Sequence, residues 1–490
     1  MTKVVSQTVH AKRVGPTLTP DRSRVLMRPF YPTSDDIAMR IITRIMELSD
    51  DQVAQLLHQV LGEFSDRHEQ VERLLHYRFG QLRLFLSEVP ETSQDRQALI
   101  GAYFTHEYSF ESTALFNPSI VPHPDQTGLP KGALRFILSL RATGEGHISS
   151  ITFREGIVNA QQRITLTQPV PFVTEPDRVL NAIYEKPLFA RKLQEAGLQN
   201  DLSWRVLDQL QENFTLDDLR GVLMAAKNQR AGAPDAAADD TARGILLLAE
   251  SNYEVRFDPA SRVSQRVLFP SVPSQSNGIE DARFVQFRDE DGSFTYYATY
   301  TAYDGKIILP QLLETRDFFH FKFITLNGPA VQNKGMALFP RKIDGRYAML
   351  SRQDDENILL MYSDNIHFWQ TPSLLLAPAQ PWEFVKIGTC GSPIETKAGW
   401  LVLTHGVGPM RKYCLGAFLL DLKEPSRVLG RLREPLLAPI ETEREGYVPN
   451  VVYTCGSLLH GRELVIPYAM SDYATSFATV SLDELLAAME

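Results

Sequence analysis

Five strand-like stretches, centred near Phe136, Tyr297, Tyr347, Leu401 and Leu464, constrain the fold more than any other feature of this chain. The last four centres are spaced by 50, 54 and 63 residues. Several share a layout: an apolar strand, a polar cluster, then another strand. Residues 347–352 precede 358–362 in this way, and 400–406 precede 414–420. Such a period suits four-stranded units joined by loops of varied length. Five units predict a mainly β chain, a five-bladed β-propeller, with a β-sandwich as the alternative architecture.

The remaining sequence reads differently. Residues 1–33 are polar and punctuated by Pro16, Pro20, Pro29 and Pro32, which predicts an extended arm. Ser34 can cap a helix, and Ile37, Met39, Ile41, Ile42, Ile45 and Leu48 then recur at near-helical spacing. Similar patterns run through 53–64 and 68–86. Helical spacing returns at 192–196, 204–213, 216–227 and 241–251, around an Ala/Asp-rich stretch, 231–240, that reads as an exposed loop. The predicted organisation is an arm and helical region at 1–105, the first part of the propeller at 106–174, a helical insertion at 175–250 and the rest of the propeller at 251–490. Amphipathic helices demand a partner surface, so these should pack on the propeller or join copies into a homo-oligomer.

Composition narrows the function. A formal charge of −9 argues against a nucleic-acid partner. Three cysteines without short spacing offer no disulfide framework or zinc motif and read as buried thiols. The first 18 residues hold no signal-peptide core, and no apolar run approaches ~18 residues. The expected location is therefore cytoplasmic, away from membranes. The 11 histidines show no metal-ligand spacing, so no metal or other cofactor is expected. HExxH, GxSxG and P-loop motifs are absent. Gly144-Glu145-Gly146 begins a dinucleotide fingerprint but lacks its third glycine, and a strand follows it instead of a helix.

What remains is a set of charges at strand ends: Arg141, Asp281, Arg283, Asp304, Lys334, Arg352, Lys386, His405 and Asp472. The segment Asn277-Gly278-Ile279-Glu280-Asp281-Ala282-Arg283 puts two acids and a base in a turn-like stretch, where Asn-Gly tolerates positive φ. In a propeller, equivalent positions of successive blades converge on a central channel. A few acids among several bases there suit an anionic co-substrate beside a sugar.

These segments, with Asn117-Pro118-Ser119, Asn333-Lys334-Gly335-Met336, residues 382–388, Thr404-His405-Gly406-Val407, residues 448–452 and Ser471-Asp472, resemble glycoside hydrolase family 130, the five-bladed β-mannoside phosphorylases and related β-mannosidases. The resemblance covers about 110–170 and 250–485. It implies inverting phosphorolysis of an oligosaccharide β-mannoside, releasing mannose 1-phosphate, with inorganic phosphate as co-substrate. It implies Asp281 as general acid, with Arg283 nearby. Lys334, Arg352, Lys386 and His405 would form the phosphate side, and Asn117, Arg141, Asp304 and Asp472 would contact the sugar.

The chain departs from the family at Ala282 (usually proline), at Ser351 (often histidine), at Gly335, and after Arg141, where Glu145 and His147 replace a second arginine. These departures keep an inverting β-mannosidase as the alternative, with Glu145, Glu383 or Glu443 positioning the water. A non-catalytic sugar-binding propeller is the second alternative.

Overall fold

The computed structural model describes residues 8–85, 91–180, 182–228, 236–306 and 308–489. The chain is mainly β. Its strands form five four-stranded antiparallel units, and each predicted centre lies on the second strand of one. The first unit is Ala114–Pro122, Leu134–Thr143, Ser149–Val158 and Ile164–Leu166. The second is Gly278–Arg288, Phe294–Tyr303, Ile308–Thr315 and His320–Thr325. The third is Ala337–Leu338, Tyr347–Ser351, Ile358–Ser363 and Pro372–Leu376. The fourth is Lys386–Thr389, Trp400–Val407, Tyr413–Leu420 and Val428–Arg431. In the fifth, Val452–Tyr453, Glu463–Met470 and Ala474–Ser481 are completed by Lys12–Leu18 from the other end of the chain.

That last pairing corrects the expected arm. Residues 1–33 contribute two strands, Lys12–Leu18 and Val25–Pro29. Proline does not forbid either, because each strand has an unpaired side on which a missing N–H costs nothing. Arg13 also reaches Glu443, donating to both carboxylate oxygens at 2.7 Å. Val25–Pro29 pairs with Thr105–Ser109, and the first unit's first strand begins at Ala114.

The described N-terminal helices are Asp35–Met46, Asp50–Phe64, Val71–Phe85 and Gln94–Tyr103, and the first begins at the expected cap, Ser34. Ser49 and Gln52 form a reciprocal capping box. Their apolar faces meet in a core containing Ile42, Ile45, Val53, Phe79 and Leu99. The inserted helices, Lys186–Glu195, Asp201–Gln209, Leu216–Asn228 and Ala236–Glu250, enclose another around Leu193, Val206, Leu219 and Ile245. The insertion docks on the β part. Lys192 Nζ donates to Asn252 Oδ1 at 2.6 Å and Thr325 Oγ1 at 3.0 Å, and Arg191 sits over the Phe368 ring at 3.7 Å. Of the expected loop at 231–240, residues 236–240 instead open a helix, and 231–235 lie outside the described residues. Among the described residues no helix is long and apolar enough to cross a membrane.

Strand register puts equivalent turns at one end of each unit. Ala114 pairs with Thr143 and Thr143 with Ser149, so the 144–148 turn lies beside the start of the first strand. The same holds for the turns beginning at Asp304, Arg352, Gly408 and Ser471. The charged candidates occupy these ends.

Candidate active site

Asp281 lies in the strand Gly278–Arg288, at a register shift between Glu280 and Arg283. The expected turn is thus a bulge inside a strand. Its φ is +54°, a conformation that Asp tolerates better than most residues. Asn117, in the neighbouring unit, sits at a matching shift with φ +48°. The two bulges aim their side chains at one another: Asn117 Nδ2 donates to Asp281 Oδ1 at 2.6 Å. Arg141 completes the group, with Nη1 3.3 Å from Asp281 Oδ1 and Nη2 donating to Glu280 Oε1 at 2.6 Å.

Burial pushes the Asp281 carboxyl up, but Arg141, Lys334, the Asn117 hydrogen bond and Arg283 outweigh it and hold it below the usual carboxylate range. Asp472, in the turn after Glu463–Met470, behaves oppositely. Burial and the Asp281 charge push it up to about 6, against Arg141, Arg411 and Lys334. Two carboxyls in one site are thereby driven apart in proton affinity.

Arg283 is buried and ties its own unit to three others. Its Nη1 donates to Thr389 O and Oγ1 at 2.9 Å and to Gly335 O at 3.1 Å, and its Nη2 donates to Tyr453 OH at 2.6 Å. These bonds occupy the guanidinium, so Arg283 frames the site from behind.

The predicted basic residues divide. Lys334 and Arg352 line the same cavity as Asp281, together with Arg283, Thr299 and Tyr453. Lys334 comes from the loop before the third unit's first strand, and Arg352 from the turn after its second. His405 is buried behind Arg352. Arginine can only donate, so at 3.1 Å its Nη1 donates a hydrogen bond to His405 Nε2, which fixes the histidine proton on Nδ1, 3.7 Å from Cys390 Sγ. Burial and the charges of Arg352, Arg283 and Lys386 push His405 well below its ordinary value. It is therefore neutral, and it holds Arg352 without adding positive charge of its own. Lys386 donates to Asp355 Oδ2 at 2.7 Å. Asp304 holds its own turn, its Oδ1 accepting from Lys306 N at 2.8 Å.

The alternative water-positioning carboxylates are engaged elsewhere. Buried Glu383 accepts from Ala379 N and Gln380 N at 2.8 and 2.9 Å, and from Arg431. Glu443 accepts from Arg13, from Tyr468 OH at 2.6 Å and from Ile440 N at 3.2 Å. Glu145 is exposed on the 144–148 turn. All three cysteines are buried free thiols, as expected. Among the described residues no group of His, Cys, Asp and Glu is arranged to hold a metal ion.

Sequence reasoning missed Asp355, Asn333, Thr389 and Tyr453. Asp355 and Asn333 had a legible signal, since each is an Asp or Asn in a polar turn at the same phase as a chosen residue. Thr389 and Tyr453 act through arginine contacts from distant units, which no local pattern reveals.

A family model described as beta-1,4-mannooligosaccharide phosphorylase, for glycoside hydrolase family 130, matches residues 236–490. The chain is 34% identical over 232 residues to a 1,2-beta-oligomannan phosphorylase of Thermoanaerobacter, covering 46% of this chain and 75% of that one. It is 28% identical over 368 residues to a beta-1,2-mannobiose phosphorylase of Listeria innocua, covering 72% and 95%. A solved structure of a Listeria innocua beta-1,2-mannobiose phosphorylase with beta-1,2-mannobiose aligns over 77% of this chain and 92% of that one, with TM-score 0.45 and 21% identity.

Proposed function

The chain belongs to glycoside hydrolase family 130, and from that premise we propose that it is an inverting β-mannoside phosphorylase. The observation that carries this reading is one cavity lined by Asp281, Lys334 and Arg352 together. A phosphorylase needs an acid for the leaving oxygen and cations for an anionic nucleophile, but no base. A hydrolase needs a second carboxylate to activate water. Glu383 and Glu443, two of the three carboxylates considered for that role, are bound elsewhere, which favours phosphate.

In the proposed reaction a phosphate oxygen attacks the mannosyl C1 from the face opposite the leaving oxygen. The C1–O bond breaks, and Asp281 gives its proton to that oxygen. The products are α-mannose 1-phosphate and the shortened acceptor. Lys334, Arg352 and Lys386 hold the phosphate, and His405 sets the direction of Arg352. Asn117, Arg141, Asp472 and Asp304 shape the sugar side, and Arg283 fixes the walls. Asp281 is held ionised in the free protein. Phosphate would offset the Lys334 and arginine charges, and a bound mannoside would strip water from the carboxyl, so both raise its proton affinity as the site fills.

Names of relatives point to the linkage. Three are phosphorylases of β-1,2-linked mannosides, so β-1,2-mannobiose is the first substrate to test and β-1,4-mannobiose the second. The test incubates each with and without inorganic phosphate. Mannose 1-phosphate appearing only with phosphate supports phosphorolysis, and free mannose without phosphate assigns hydrolysis instead.

The same reading extends to the architecture. Five equivalent units whose inner ends bond across to one another, Asn117 to Asp281 and Arg283 to Thr389 and Tyr453, support a five-bladed propeller around the site. Residues 1–105 then form the N-terminal region, 106–174 and 251–490 carry the propeller, and 175–250 interrupts it. Lys12–Leu18 returns to the last blade. A cytoplasmic location fits a phosphorylase, whose phosphorylated product stays available to intracellular metabolism.

A further inference from the structure

The cations that the proposed reaction needs already hold an anion. Asp355 lies in the turn between Tyr347–Ser351 and Ile358–Ser363, with φ +60°. Its Oδ2 accepts from Lys386 Nζ at 2.7 Å, and its Oδ1 lies 3.3 Å from Arg352 Nη2 and 3.4 Å from Asn333 Nδ2. The carboxylate therefore takes one lysine, one arginine and one amide, the donor set that two oxygens of a phosphate would seek. Arg352 is itself fixed: its Nη1 is bound to His405, and its Nε is buried without a hydrogen-bond partner. The side chain of Asp355 is 54% exposed, so only it is free to leave. A phosphate anion and a carboxylate on the same donors repel strongly at such range.

We propose that Asp355 is an internal competitor for the anionic co-substrate: it occupies Lys386, Arg352 and Asn333 when the site is empty and swings into solvent when phosphate binds. The proposal rests on the phosphorylase reading and adds a residue that sets phosphate affinity. Asp355 keeps the two cations apart and in place between turnovers, at a cost in phosphate binding.

The test measures binding of inorganic phosphate to the full chain by calorimetry, without sugar. Asp355→Asn keeps the shape and tolerates positive φ, and Asp355→Gly suits that φ without any side chain. Both variants should bind phosphate about 3–10-fold more tightly than the unaltered protein, the scale expected on releasing two half-exposed ion pairs. In turnover the same change should appear in the KM for phosphate and not in the KM for mannoside. Unchanged or weaker phosphate binding in both variants overturns the proposal and makes Asp355 a residue that positions the cations; so does undetectable phosphate binding in all three proteins. The phosphorylase reading fails separately, if the unaltered protein binds phosphate but forms no mannose 1-phosphate.

Discussion

Replacing Asp472 with asparagine should stabilise this protein at neutral pH while impairing its sugar site. The Asp472 carboxyl is raised to about 6 by burial and by the Asp281 carboxylate, against ~3.9 in an unfolded chain. A carboxyl raised by folding contributes stability that is fully present below its unfolded value and is lost as pH rises through its folded one. Across the whole interval the loss is ~2 pKa steps at 1.36 kcal/mol each, or ~3 kcal/mol. Asparagine never ionises, and it accepts the φ of +51° at this position. The substitution should therefore gain only ~0.5 kcal/mol at pH 4 but ~3 kcal/mol above pH 7.

Thermal unfolding reads this directly. Unfolding entropy of ~2.1 cal/mol/K per residue gives ~1 kcal/mol/K for a chain of this size, so Tm should rise ~3 °C at pH 7.5 and well under 1 °C at pH 4. A gain independent of pH, or a loss at pH 7.5, would show that Asp472 is not a strained carboxyl. Such strain is the usual companion of function, since a site built to bind keeps charges that the fold alone would discard.

Asp281→Asn should reduce turnover ~10²–10⁴-fold with the fold intact by circular dichroism; near-normal turnover removes Asp281 as the acid. Lys386→Ala should raise the KM for phosphate ~10-fold or more in steady-state assays and leave the KM for mannoside nearly unchanged. Arg283→Lys cannot serve Thr389, Gly335 and Tyr453 together, so it should lower stability by ~2–4 kcal/mol in denaturant titrations. Deleting residues 1–20 strips Lys12–Leu18 from Ala474–Ser481 and Arg13 from Glu443, and light scattering should show aggregation through the uncovered strand edge. Deleting 1–100 removes the same strand, so that truncation does not isolate the role of the helices.

The strand repeat was legible because its second strands are long and buried, as in Trp400–Val407, whose residues are all buried. A short apolar run of this kind can be read without knowledge of its neighbours. The first strands of the third and fifth units are two residues each, Ala337–Leu338 and Val452–Tyr453, too short to give a period. Lys12–Leu18 was unreadable for another reason: it finds its partner more than 450 residues away, and nothing local distinguishes an edge strand from an arm. The site behaved likewise. Asp281 was visible in the polar stretch 277–283, and Asn117 through the family resemblance. The neutrality of His405 was not, because it follows from Arg352 and burial, both set by folding.

Many polar residues at these strand ends share a backbone cause. Positive φ occurs at Asn117, Asp281, Asn333, Asp355, Asn450 and Asp472, all at the same end of their units. A side chain there is strained unless it is short and polar, and Asn and Asp carry the least penalty among residues other than glycine. A bulge or tight turn is what tips a strand end toward the centre, and the residue type it demands is also the type that binds hydroxyls and carries protons. Conformational need and chemical need thus select the same letters at the same phase of each repeat. This explains why polar residues at strand ends were legible as candidates, Asp304 among them, whose Oδ1 also accepts from Lys306 N within its own turn. The chemical need shows only in the partners that folding supplies: Asp281 has Asn117 and Arg141, and Asp355 has Lys386 and Arg352.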